Sequence, residues 1–241
     1  LVVSFKKRTM KNYLIVGASS GIGRAITEKL YAQGHALWVI TRSPEALAHL
    51  PHLQFVTPDF LSNDWQADGL PEHLDGVVYA PGTINLKPFR ALKADDFRND
   101  FEINVVGAVK VIQAALKALK NSKQASILLF STVAVGQGMS YHSSVAASKA
   151  AVEGLTRSLS AELAPGIRVN AIAPSLTETP LAARLLSTPE KIESSAKRHP
   201  LQRIGQADDI AALGCFLLGD EASWITGQVM AVDGGLSRVR I

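Results

Sequence analysis

Short runs of β-branched and other apolar residues at 13–16, 37–41, 54–57, 76–79, 126–130, 168–172 and 228–232 alternate with longer stretches whose apolar residues recur every three or four positions. Those stretches are 22–32, 97–119, 146–163 and 208–218. Short β-branched runs read as strands, and a three-four repeat reads as one buried face of a helix. Strands alternating with helices in this way form parallel pairs, because the helix carries the chain back to the same end of the sheet. Runs such as Ile127-Leu128-Leu129-Phe130 are apolar throughout, as strands covered on both faces should be. The expectation is an α/β fold: one parallel sheet of about seven strands with helices on both faces. No linker, repeat or low-complexity stretch divides residues 10–241, which read as one domain.

Composition removes several function classes. Hydrophobic residues make up 47% and charged residues 19%, which excludes a disordered chain. Cys215 is the only cysteine, so the chain has no internal disulfide and no cysteine-cluster metal site. No metal is expected, and a reducing cytoplasm is the default compartment. Lys6, Lys7 and Arg8 supply most of the formal net charge of +4. Residues 1–9, ahead of Met10, read as an N-terminal extension or an upstream start. Three cations without interleaved aromatics describe a solvated end rather than a nucleic-acid arm. No apolar run approaches the roughly 18 residues of a membrane span, and the N-terminus lacks the pattern of a signal peptide. A cytoplasmic protein with neither nucleic-acid nor membrane partners is expected.

The turn after the first strand is the strongest functional signal, with Gly17-Ala18-Ser19-Ser20-Gly21-Ile22-Gly23 leading into a helical run. A dinucleotide pyrophosphate needs a tight turn, a backbone close enough to donate N–H groups, and a helix N-terminus whose partial positive charge faces the anion. Glycines at these places meet all three needs, although the spacing is Gly-x-x-x-Gly-x-Gly rather than GxGxxG. A glycine-rich turn with no ligand is the alternative reading.

This spacing resembles that of the short-chain dehydrogenase/reductase superfamily. The resemblance runs from Met10 to the C-terminus and takes in Asp59, Asn104, Ala146-Ala147-Ser148-Lys149-Ala150-Ala151 and Arg168-Val169-Asn170-Ala171-Ile172-Ala173-Pro174. It also takes in Ile225-Thr226-Gly227-Gln228 and Val232-Asp233-Gly234-Gly235. It implies a Rossmann-type doubly wound sheet, an oxidoreductase acting on a small molecule, and a homodimer or homotetramer formed through the helices at 97–119 and 146–163. By the same resemblance, Gly17, Ser19, Ser20, Gly21, Ile22 and Gly23 hold the pyrophosphate, and Asp59 and Phe60 border the adenine. Gly82, Lys149, Asn170, Pro174, Thr177 and Thr179 belong to the nicotinamide half. The second strand ends in Thr41 and Arg42 rather than an acid. A guanidinium there can pair with a 2′-phosphate, so NADP(H) is favoured and NAD(H) remains possible.

Hydride transfer to or from a carbon bearing oxygen requires a matching proton transfer. The family uses a tyrosine for it, with a lysine four residues later and a serine thirteen residues earlier. Counted from Lys149, those positions hold Val145 and Thr132. Thr132, Asn104 and Lys149 keep the remaining polar groups of the implied catalytic set, whereas valine carries no proton. Tyr141 and His142 are further catalytic candidates. In a continuous helix they would stand about 10 to 12 Å from Lys149 along the axis, so either works only if 139–144 folds back as a loop. His142 is the better placed chemically, because imidazole titrates near neutrality. Two further departures are Tyr79-Ala80-Pro81-Gly82, where the resemblance implies Asn-Asn-Ala-Gly, and Ser175, where it implies glycine.

Two functions fit. One is an NADP(H)-dependent oxidoreductase of an unidentified carbonyl or alcohol, its proton supplied by His142, Tyr141 or water. The other is a non-catalytic NADP(H)-binding protein, a sensor or partner subunit. Residues 173–189, rich in proline, read either as a substrate lid or as an irregular surface crossing. Leu176, Leu181, Leu185 and Leu186 suit a medium-sized, partly apolar substrate. Arg198, His199 and Arg203 could receive an acidic substrate or carrier, but read more simply as solvated faces of a charged helix.

Overall fold

β1 (Asn12–Val16) runs through the middle of a parallel sheet, paired with β2 (Ala36–Ile40) on one side. β3 (Gln54–Val56) lies beyond β2, and β4 (Gly76–Tyr79) pairs with the other side of β1. β5 (Ala125–Phe130) and β6 (Ile167–Pro174) follow outward. β7 (Thr177–Glu178) and β8 (Gly205–Gln206) form a separate two-stranded ladder, and β9 (Val229–Val232) closes the main sheet beside β6. The main sheet has seven strands in the order β3-β2-β1-β4-β5-β6-β9, the Rossmann-type order expected. This computed structural model describes residues 9–62, 64–65 and 67–240; the basic stretch at 1–8 lies outside them.

The helices are α1 (Gly21–Ala32), α2 (Ala94–Phe101), α3 (Gly107–Lys120), α4 (Ala134–Gln137), α5 (Ser143–Leu163), α6 (Pro189–Lys197) and α7 (Ala207–Leu218). Alternate side chains of each strand feed two cores. Leu14, Val16 and Val77 pack with Val111, Ile112 and Leu119 of α3 and Val152 of α5. Tyr13, Ile15, Val39 and Leu128 pack on the opposite face with Ile26 and Leu30 of α1 and Ile210 and Leu217 of α7. Each fully buried Leu, Ile or Val contributes about 1.5 to 3 kcal/mol, which explains why the central strands β1, β4 and β5 have no solvated face.

Two segments differ from their sequence-based expectation. The helix expected at 97–119 is α2 and α3 joined by a π-turn, Glu102–Val106, whose wider hydrogen bond runs from Gly107 N–H to Glu102 O. An inserted residue of this kind leaves the apolar period nearly unchanged, so the sequence does not betray it. Residues 173–189, read as a substrate lid or an irregular crossing, carry regular structure and border a cavity through Leu181 and Leu185. They continue β6 to Pro174, add β7, and form a 3-10 segment at Pro180–Leu186.

The π-turn has a partner in the sheet. Because Gly107 N–H goes to Glu102 O, it does not reach Ile103 O, and that carbonyl accepts a hydrogen bond from the Tyr79 hydroxyl at 2.5 Å. Gly107 makes room for the phenol: a Cβ there would lie 2.3 Å from Tyr79 Oη and 2.9 Å from Phe60 Cε2. Gly107→Ala should therefore lower stability by about 1 to 3 kcal/mol, read as a drop in melting temperature. Adding Tyr79→Phe should recover part of that loss, because the closest clash is with the hydroxyl. An unchanged melting temperature for the single variant would refute this packing.

The chain reverses its direction of travel across the sheet between β1 and β4, which opens a crevice beyond their C-terminal ends. The loops that leave those strands meet there. Gly17 N–H bonds Ile40 O at 2.9 Å and Ala80 N–H bonds Val16 O at 3.0 Å.

Candidate active site

Two connected spaces occupy the crevice. The larger is a cleft of about 840 Å³ bordered by Gly17, Ser19, Ser20, Gly21, Ile22 and Gly23, and farther out by Arg42, Asp59 and Phe60. The smaller is a cavity of about 350 Å³ bordered by Thr132, Val145, Lys149, Pro174 and Thr177. Ile22, Ala80, Gly82, Thr179 and Leu181 border both, so the two run into one another. Of the residues that the family resemblance gives to a dinucleotide, Asn170 alone borders neither space. Its amide donates to Ile225 O and its Oδ1 accepts from Gln228 N–H, which ties β6 to the approach to β9.

The cradle is shaped by close backbone approach. Gly17 sits at φ +79°, a conformation that side chains with a Cβ adopt only under strain. A Cβ on Gly23 would lie 2.2 Å from Gly17 O, so the first turn of α1 can rest against the end of β1 only because that atom is missing. α1 has no acidic residue in its first turn and no side-chain cap on Ser20, which leaves its N–H groups and its partial positive charge facing the cleft. These features fit a pyrophosphate. At the far end Thr41 Oγ1 accepts from Ser43 N–H at 3.1 Å, fixing the turn that carries Arg42.

The cavity contains Thr132 and Lys149 of the implied catalytic set, and three other residues lie elsewhere than expected. Lys149 is only 7% exposed and donates to Phe130 O at 2.9 Å. Burial lowers its pKa to about 8, opposed by the Asp100 carboxylate. Thr132 borders the same space and accepts from Ala134 N–H. Val145, 5% exposed, presents its isopropyl group to the cavity four residues before Lys149, one helical turn away.

The first difference concerns Asn104, which does not border the cavity. Its Nδ2 donates to Thr83 Oγ1 and Ser148 Oγ, each at 3.0 Å, and so pins the 82–83 loop against α5 from behind. The second concerns Tyr141: it is 58% exposed, with φ +69°, and lies outside both linings, while the loop at 139–142 folds back so that Met139 and His142 border the cavity. His142 Nδ1 is 2.8 Å from Ser140 O.

The third difference is His199, which is not on a solvated helix face. It is 3% exposed, at the end of α6, and borders the cavity together with Ser175 and Arg198. Its Nε2 is 2.9 Å from Ser175 Oγ and its Nδ1 is 2.8 Å from Ser195 O. Arg203 turns away and pairs with Asp209. The signal for the buried pair was the serine at 175, but its partner is 24 residues away and no periodicity links the two.

Comparison with known proteins agrees with the fold. Residues 63–237 match the family described as enoyl-(acyl carrier protein) reductase. The 3-oxoacyl-(acyl-carrier-protein) reductase of Thermotoga maritima is 34% identical over 239 residues, covering 92% of this chain and 96% of the relative. A short-chain type dehydrogenase/reductase from Mycobacterium ulcerans superposes with a TM-score of 0.86 at 28% identity, over 95% of this chain and 90% of that one. A gluconate 5-dehydrogenase from Burkholderia cenocepacia, solved with NADP and tartrate, gives a TM-score of 0.86 at 25% identity, over 97% and 98% of the two chains. With the seven-stranded order, the glycine cradle at the switch point and these relatives in agreement, the chain belongs to the short-chain dehydrogenase/reductase superfamily of oxidoreductases.

Proposed function

We propose that this oxidoreductase uses NADP(H) to interconvert a small carbonyl compound and its alcohol, without a tyrosine at the position of Val145. The observation that carries the reading is the continuity of the two spaces: a cleft with a glycine cradle and Arg42 opens into a cavity containing Thr132 and Lys149. When bound, the reduced nicotinamide supplies a hydride. Gly17 to Gly23 would receive the pyrophosphate, and Arg42 the 2′-phosphate. Lys149 would hold the nicotinamide ribose, its ammonium predominating below about pH 8. Thr132 would orient the substrate oxygen. The leucines of the 3-10 segment, Leu181 and Leu185, give the cavity an apolar wall suited to a partly apolar substrate.

Coenzyme preference can be read directly. A charge-assisted hydrogen bond contributes about 1.5 to 3 kcal/mol. Arg42→Ala should therefore weaken NADPH binding about 10- to 100-fold in a fluorescence titration and leave NADH binding within about twofold. Equal loss for both coenzymes would put the 2′-phosphate elsewhere.

Because valine moves no proton, a binding-only protein is the second reading. NADPH would then raise the melting temperature while absorbance at 340 nm stayed constant with ketones, aldehydes and alcohols alike; turnover of any of them decides for the enzyme. We also propose self-association through α2, α3 and α5, where Phe101 is left half-exposed. No helix among the described residues is long and apolar enough to cross a membrane, and a cytoplasmic location is part of the same proposal.

A further inference from the structure

We propose that Ser175 and His199 form the proton relay of this cavity, with the Ser175 hydroxyl as the group that protonates the substrate oxygen. The inference rests on the oxidoreductase reading above and supplies the step that Val145 cannot perform.

The hydrogen-bond pattern fixes the roles. A carbonyl oxygen can only accept, so His199 Nδ1, 2.8 Å from Ser195 O, carries a proton. In the neutral ring Nε2 is then the acceptor, and at 2.9 Å it takes the hydrogen bond of Ser175 Oγ–H. When the ring gains a proton, Nε2–H donates to Ser175 Oγ instead, and the hydroxyl proton is released to point into the cavity that both residues border. The imidazole is held from both ends and buried, Ser175 joins it to the cavity, and no carboxylate among the described residues hydrogen-bonds to it. Asp233 is the acidic side chain that interacts with the ring electrostatically, and the Arg198 guanidinium, the Lys149 ammonium and His142 border the same cavity. The hydroxyl is anchored too: Ser175 N–H bonds Val232 O and Ser175 O accepts from Thr177 Oγ1, so Oγ stays where β6 ends.

The step balances with NADPH as the reductant. The carbonyl carbon gains a hydride, and the C=O π bond becomes an O–H bond as Ser175 Oγ gives up its proton. Ser175 Oγ takes the proton of His199 Nε2, which returns from imidazolium to imidazole; after product leaves, a water in the cavity gives a proton to Ser175 Oγ, whose own proton passes to Nε2 and restores the imidazolium. In alcohol oxidation the same protons run backwards.

The test uses the full chain with NADPH and two carbonyl probes, ethyl 3-oxobutanoate and benzaldehyde, against Ser175→Ala, Ser175→Gly and His199→Gln. The glutamine amide can keep hydrogen bonds to Ser175 and to Ser195 O but cannot change its charge, so it separates a relay from a brace. General acid–base groups contribute about 10² to 10⁴ in rate. All three variants should lose about 100-fold or more in kcat, with KM and the NADPH Kd within about twofold of wild type. Nitrogen-15 NMR of wild-type His199 should show a protonated Nδ1 and a hydrogen-bonded Nε2, and the latter signature should disappear in Ser175→Ala. A wild-type kcat in Ser175→Ala or in His199→Gln would overturn the relay, as would loss confined to His142→Ala. Failure of the wild-type protein to turn over either probe while binding NADPH would overturn the relay and the oxidoreductase reading together.

Discussion

Replacing Val145 with tyrosine should raise the reduction of simple carbonyl compounds about 100-fold, the lower end of what a positioned acid contributes. The side chain borders a cavity of about 350 Å³, so a phenol has space to enter without displacing the core. It would stand one turn from Lys149, on the same face of α5. Burial has already lowered the lysine to about pH 8, so its ammonium form predominates at neutrality and would pull a neighbouring phenol below its usual value near 10. The sign with pH follows. As pH rises through about 8 the ammonium is lost and the phenol with it loses its electrostatic partner, so the gain should be present at pH 6 to 7 and decline above pH 8. Initial rates at 340 nm across that range check both parts. A variant that binds NADPH as tightly as wild type and shows no gain would remove Thr132 and Lys149 from the proposed site.

Gly23→Ala should cost the protein its coenzyme. The added Cβ would lie 2.2 Å from Gly17 O, 3.0 Å from Gly17 C and 3.1 Å from Ala80 Cβ. Two of these atoms are backbone at the end of β1, so nothing can swing aside; the first turn of α1 has to retreat from the strand. Over-packing of this kind costs about 1 to 3 kcal/mol of stability. The effect on ligand is larger, because several N–H groups lose their aim at once. We expect NADPH affinity to fall more than 100-fold by calorimetric titration, with a lower melting temperature. Gly154→Ala is the matched control: a Cβ at that position of α5 meets nothing within 4 Å, and alanine is the better helix former. Binding within threefold of wild type in Gly23→Ala would mean that the cradle does not depend on this contact.

What could be read in the sequence follows from which forces repeat along a chain. β1 and β5 were legible because burial on both faces demands an unbroken apolar run, and α3 because one buried stripe recurs at helical spacing. The cradle was legible because close approach leaves glycine as its trace. The π-turn was hidden, since one inserted residue hardly shifts the stripe around Asn104. The 3-10 segment at Pro180–Leu186 was hidden because Ala182 is its one buried residue, so no apolar period marks it. His199 was misjudged for a related reason. α6 has no buried residue, so its composition says solvent, yet the residue just past its end tucks under the C-terminal end of β6.

The fit between Tyr79 and Gly107 restricts how this chain can change. A phenol that occupies the volume where a methyl group would stand makes the two positions a single unit, although they lie on different elements. A bulkier residue on the helix would have to arrive after, or together with, a smaller one on the strand, and the reverse order passes through a poorly folded protein. Shortening Tyr79 alone would leave a hole and take the phenol from the Ile103 carbonyl, whereas enlarging Gly107 alone would drive the added group into the hydroxyl.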